Sequence, residues 1–115
     1  MRTRARAAVA PATLGAMSSV SSIALSGLQA AWSDLQARAS NIANAQTPGF
    51  RRLLPAHAEV PQGGVDVGVQ RAVAPGEDLI ADSVGLIEAR SAFAANLAVF
   101  KTGDRMLGTL LDLRA

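Results

Sequence analysis

Five large apolar residues, Leu79, Leu86, Phe93, Phe100 and Leu107, stand seven residues apart in the C-terminal third of the chain. Seven residues are close to two turns of α-helix, so this repeat lays one apolar row along one side of a helix. Kept strictly, it winds left-handed around a partner helix. The spacing predicts a helix over residues of about 78–112, roughly 50 Å long. Asp78 is placed to cap its start, and Glu77 and Asp82 suit the positive end of the helix dipole. Ile80, Ile87, Leu97, Leu110 and Leu111 flank the row, while Ala81, Ala89, Ala92, Ala94, Ala95 and Ala98 keep the other faces small. A solvated helical pair carries Glu and Lys at such positions. Small faces suit a helix crowded on several sides.

A second amphipathic helix is predicted over about residues 19–45, where Val20, Ile23, Leu28, Ala31, Leu35 and Ile42 recur at spacings near three and four. The serines at 18, 19, 21 and 22 offer N-caps. Gly27 is a weak point, costing up to about 1 kcal/mol against alanine unless close packing uses it. The helix stops at Gln46-Thr47-Pro48-Gly49-Phe50. Pro48 drives Thr47 out of the helical region, and Pro-Gly suits the central positions of a type II turn. Beyond it, Val65, Val67 and Val69 alternate with Asp66, Gly68 and Gln70, a period of two that marks a strand. Residues 56–60 offer a second strand, with Pro61-Gln62-Gly63-Gly64 as the turn.

The expected fold is therefore all-α. Two long terminal helices form an antiparallel coiled-coil hairpin, joined by a short irregular or β-hairpin connector. The expected segments are a disordered leader (1–17), an N-terminal helix with its turn (18–50), a connector (51–77) and the C-terminal heptad helix (78–115).

Composition bears on what such a hairpin can bury. Among 115 residues there are 24 alanines, one Trp, three Phe and no Tyr. At about 25 cal/mol per Å² so few large side chains give a marginal private core. Burying the stripes against neighbouring subunits resolves that deficit. The absence of cysteine excludes disulfide staples and Cys-based metal sites. The net charge of +2 comes from Arg2, Arg4 and Arg6, since residues 17–115 carry eight basic and nine acidic groups. The remaining arginines are scattered, which argues against nucleic-acid binding. No uninterrupted apolar run approaches the length of a membrane span, so stable membrane insertion is not expected. Residues 1–16 carry arginines before Ala7-Ala8-Val9-Ala10, but the stretch is too short and Pro11 cuts it, so no cleavable signal is read there.

Catalytic chemistry finds no foothold. His57 is the only histidine, so neither a metal centre nor a Ser/His/Asp set can be assembled around it. Gly63-Gly64 lacks the spacing of a phosphate-binding loop. No cofactor and no enzyme activity are expected. Asn41 and Asn44 suit capping and turn formation, or hydrogen bonds between subunits. Asn96 sits among apolar rows and is a candidate for fixing register. Trp32 either closes the helical hairpin or sits at an interface. Arg51-Arg52 reads as a solvated loop pair, and Arg38 and Arg90 as surface partners of Asp34 and Glu88.

Two stretches carry a family resemblance. Leu25-Ser26-Gly27-Leu28-Gln29-Ala30-Ala31, followed by Ser40-Asn41-Ile42-Ala43-Asn44-Ala45-Gln46-Thr47-Pro48-Gly49-Phe50, resembles the N-terminal signature of bacterial flagellar rod and hook proteins. Val84 to Asn96 and Lys101 to Leu113 resemble the family's C-terminal stretches. Gln46 stands where the family usually has Asn or Asp, the leader has no counterpart, and the connector leaves no room for a large outer domain.

The resemblance implies a structural subunit of the basal-body rod that polymerises through its terminal helices into the axial tube. Its partners would be itself, other rod and hook subunits and the flagellar export apparatus. It would reach the periplasmic basal body without a cleavable signal. The expected assembly interface is Leu28, Leu35, Ile42, Leu79, Leu86, Phe93, Asn96, Phe100, Leu107 and Leu111, and the helix-terminating turn is Asn44, Thr47, Pro48, Gly49 and Phe50. The alternative is a non-polymerising helical-hairpin adaptor or export-associated binding module.

Overall fold

In a computed structural model, which describes residues 2–114, the chain is two long helices with a two-stranded sheet between them. Helix α1 spans Arg2–Ala43, strand β1 Leu53–Glu59, strand β2 Val65–Arg71 and helix α2 Leu79–Arg114. The connector is thus a regular antiparallel β-hairpin, which makes the fold mostly helical rather than purely so. Helix α1 also runs through residues 2–17, expected above to be a disordered leader. Alanine and arginine, which dominate that stretch, are strong helix formers, and they act against Pro11, which removes one hydrogen bond and crowds the preceding turn at a cost of about 3 kcal/mol.

The helices pair antiparallel: Ser21 lies beside Gly103, Gly27 beside Asn96, and Arg38 beside both Gly85 and Asp82. The molecule measures 72 × 24 × 16 Å, with a radius of gyration of 19.8 Å. A compact domain of this length would have a radius of about 13 Å. Asp78 caps α2, its Oδ1 accepting from the Ala81 N–H at 3.1 Å.

The buried row is not the one that the large side chains mark. Among the described residues, the buried apolar side chains are Ala24, Ala30, Ala31, Ala37 and Ala89. On α2 the seam follows Asp82, Ala89, Asn96 and Gly103, also seven apart, of which all but the half-buried Asn96 are buried. Leu86, Phe93, Phe100 and Leu107 flank this seam half-buried, and Leu79 is 44% exposed. Small residues at the seam let the backbones come close: a Cβ on Gly27 would stand 2.4 Å from the Asn96 Oδ1. The large residues are then left to the flanks.

Within Leu79–Leu113 an 18-residue window reaches a mean hydropathy of 1.2, so α2 is long and apolar enough to cross a membrane by length and composition alone. Alanine lifts the average, and no charge falls between Arg90 and Lys101.

Candidate assembly faces and the buried polar node

Where the connector leaves α1 and enters α2, one carboxylate gathers three side chains. Asp82 is 1% exposed. Its Oδ1 accepts from Arg38 Nη1 at 3.0 Å, Asn41 Nδ2 at 3.0 Å and Arg52 Nη2 at 2.7 Å. Its Oδ2 accepts from Arg52 Nε at 2.9 Å, so the guanidinium grips both oxygens. Burial pushes the Asp82 carboxyl up, but the hydrogen bonds from Arg52, Asn41 and Arg38, with the Arg52 charge, outweigh it and hold the group at about 2. The same bond to Asp82 raises Arg52 above its ordinary value.

Sequence reasoning missed this node. Arg52 is not a solvated loop residue, and Arg38 pairs with Asp82 rather than Asp34. Asn41 is not a cap: its Oδ1 accepts from the Leu53 N–H at 2.7 Å and its Nδ2 donates to the Leu53 carbonyl at 2.8 Å. Its side-chain amide imitates a neighbouring strand. The available signal was the small, polar row containing Asp82 and Asn96.

The β-hairpin lies along α1 and is fixed to it at three places. Asn41 holds its root, His57 Nε2 lies 2.8 Å from Asp34 Oδ2 at its middle, and Ser26 Oγ accepts from the Val65 N–H at 3.1 Å near its tip. The tip turn needs Gly63 and Gly64, whose φ values are +98° and +106°. A Cβ on Gly64 would also stand 2.8 Å from Ser26 Oγ.

These contacts occupy part of the sheet's edges. Bonded and non-bonded pairs alternate along an antiparallel ladder. Ala72 donates to the Arg52 carbonyl and Val60 to the Gly64 carbonyl, so the bonded pairs fall on even β1 positions. Leu53, Pro55, His57 and Glu59 therefore turn their main chain to one outer edge, and Val65, Val67, Val69 and Arg71 to the other. On the first edge Asn41 occupies Leu53 and Pro55 has no N–H. On the second, Ser26 takes the Val65 N–H and Asp66 Oδ1 takes that of Val67 at 3.0 Å. Strand edges blocked in this way resist pairing with another sheet.

After α1 ends at Ala43, Asn44 Nδ2 donates to the Ser40 carbonyl at 2.9 Å and Thr47 Oγ1 donates to Asn44 Oδ1 at 3.2 Å. The Phe50 N–H closes a turn on the Thr47 carbonyl at 3.2 Å, with Pro48 and Gly49 at its centre. Gly49 has φ +73°, the left-handed value that a type II turn requires there. Arg71 lies over the Phe50 ring, 5.6 Å from its centroid.

The helices keep large apolar side chains in solvent. On α1 these are Val20, Ile23, Leu25 and Trp32; on α2 they include Ile80, Ile87 and Leu111, at 80%, 66% and 54% exposure. Of the other expected interface residues, Leu28, Leu35, Ile42 and Asn96 are half-buried. Trp32 does not close the hairpin core: its ring leans on Phe93, centroids 6.4 Å apart, yet it stays 54% exposed. Among the described residues, no group of three or more His, Cys, Asp or Glu side chains is placed to hold a metal ion.

Residues 22–51, about a quarter of the chain, match the family of flagella basal body rod proteins. The matched stretch runs from the seam of α1 through Asn41 and the Pro48-Gly49 turn to Arg51. No curated protein matches the chain.

Proposed function

We propose that this chain, a flagellar basal-body rod component by its match at residues 22–51, polymerises into the axial tube through its two terminal helices. The rod family is structural, and the role needs no catalytic group. Partners are further copies of the chain and other axial subunits. The site of assembly is the periplasm, reached through the flagellar export apparatus without a cleavable signal.

The observation that carries the reading is the apolar surface that remains after α1 and α2 have paired. Ile80, Ile87, Leu111 and Leu113 on α2, with Val20, Leu25 and Trp32 on α1, are exposed along both helices. Soluble monomers seldom expose contiguous apolar patches of more than a few hundred Å², and larger ones mark interaction surfaces. The half-buried Leu86, Phe93, Phe100 and Leu107 complete these flanks. With the hairpin edges partly occupied, the helices offer the larger apolar surfaces for association.

Light scattering across a dilution series tests this. Open-ended association is expected, with mean mass rising continuously with concentration. A fixed dimer would instead favour a non-polymerising adaptor. Ile80→Asp with Ile87→Asp is expected to abolish association and incorporation into basal bodies while leaving helicity unchanged. Normal incorporation of that double variant would overturn the proposal.

A further inference from the structure

Trp32 and an apolar groove lie on different faces of the helical pair. Trp32, with Leu25 one heptad before it, forms a ridge on α1, the two being 54% and 46% exposed. The groove, of about 260 Å³, lies between the helices and is lined by Val20, Ala98, Val99, Thr102, Gly103 and Met106. Its one hydroxyl, on Thr102, already donates to the Ala98 carbonyl at 2.9 Å. Ligand pockets run from about 300 Å³ upward and carry convergent polar groups. This groove is smaller and apolar, and suits one large side chain.

Val20 and Trp32 are twelve residues apart on α1. At about 100° and 1.5 Å per residue, that places ridge and groove roughly 120° apart around the helix and about 18 Å apart along it. Neither can satisfy the other within one copy. Two copies facing one another across a single contact cannot use both pairs either. A ridge on one face and a groove on another make a head-to-tail contact, which grows as an open filament wherever its rotation does not close a ring.

We infer that Trp32 of one copy seats in the Val20–Met106 groove of a second copy, and that this heterologous contact drives open-ended growth. The inference rests on the reading that the chain assembles with itself, and names the contact. A second copy supplies the occupant: every copy that carries the groove also presents Trp32, the chain's one tryptophan, 54% exposed on another face.

The test uses complementary variants of the full chain. Trp32→Asp removes the ridge and keeps the groove; Ala98→Phe fills the groove and keeps the ridge, with Val99→Phe as a second filler. Circular dichroism checks that each retains wild-type helicity. The wild type is expected to grow with concentration, its single-tryptophan emission moving to shorter wavelength as Trp32 is covered. Each variant alone is expected to stay monomeric, whereas a mixture of Trp32→Asp with a groove-filled variant forms a one-to-one dimer and nothing larger. Helical variants that grow like the wild type, or a mixture that forms no dimer, would overturn the ridge-and-groove contact while leaving open-ended assembly standing. A wild type that stays monomeric or stops at a dimer would remove the assembly reading and this contact together.

Discussion

Arg52 holds Asp82 through two donors on one edge of its guanidinium, Nε on Oδ2 at 2.9 Å and Nη2 on Oδ1 at 2.7 Å. One residue leads into β1 and the other lies in the first turns of α2, so the pair ties the connector to the second helix where the first helix ends. Removing one partner of a buried pair leaves the other charge uncompensated and costs about 3–5 kcal/mol. Asp82→Ala is expected to cost about 3 kcal/mol, since it strands Arg38 as well. Arg52→Lys keeps the charge but loses the two-point grip, and is expected to cost about 1 kcal/mol. Urea denaturation of each variant checks the order; equal losses would mean that the fork geometry contributes nothing.

The same carboxylate gives the fold an acid-sensitive element. Its folded pKa of about 2 lies below the ordinary value of 3.8, so between these values the unfolded chain binds more protons. Its contribution is complete above about pH 4 and is lost as the pH falls toward 2. A shift of this size corresponds to about 2 kcal/mol. Stability measured from pH 5 to pH 2 is expected to fall by about that amount more in the wild type than in Asp82→Asn. Parallel curves for the two proteins would show that Asp82 is not the group responsible.

At the hairpin tip the Val65 N–H depends on one hydroxyl, Ser26 Oγ, at 3.1 Å. Ser26→Ala removes the acceptor, and a net hydrogen bond is worth about 1 kcal/mol. Amide exchange at Val65 is expected to speed up about five-fold, with Leu53 at the hairpin root unchanged because Asn41 holds it independently. Equal acceleration at both positions would mean that the hairpin lifts from α1 as one body.

Features set by neighbouring residues were legible in the sequence, and those set by distant ones were not. The Pro48-Gly49 stop and the alternation of Val65, Val67 and Val69 act within a few residues, and both helices announce themselves by period. The seam was misjudged because a seven-residue period holds at every offset. Leu86, Phe93, Phe100 and Leu107 share it with Asp82, Ala89, Asn96 and Gly103. Side-chain size favours the first row; the close approach of Gly27 to Asn96 and of Ser21 to Gly103 favours the second. Arg52 and Asp82 are thirty residues apart, and no local rule pairs them. The exposed row, by contrast, could be anticipated from the scarcity of large side chains, which left little to cover it.

Gly27 and Asn96 give the sharpest test of that seam. A Cβ on Gly27 would approach Asn96 Oδ1, Cγ and Nδ2 to 2.4, 2.6 and 2.9 Å, so Gly27→Ala must displace the amide and break its 2.8 Å bond to the Ala92 carbonyl. In an open helix the same change would gain about 1 kcal/mol. Gly27→Ala is therefore expected to destabilise the wild type by about 1 kcal/mol, and to stabilise a chain that already carries Asn96→Ala by a similar amount. The change of sign makes the coupling energy of the double-mutant cycle about 2 kcal/mol, within the range seen for residues in direct contact. Denaturation curves of the four proteins measure it. Additive effects would place Asn96 away from Gly27 and dissolve the antiparallel register described above.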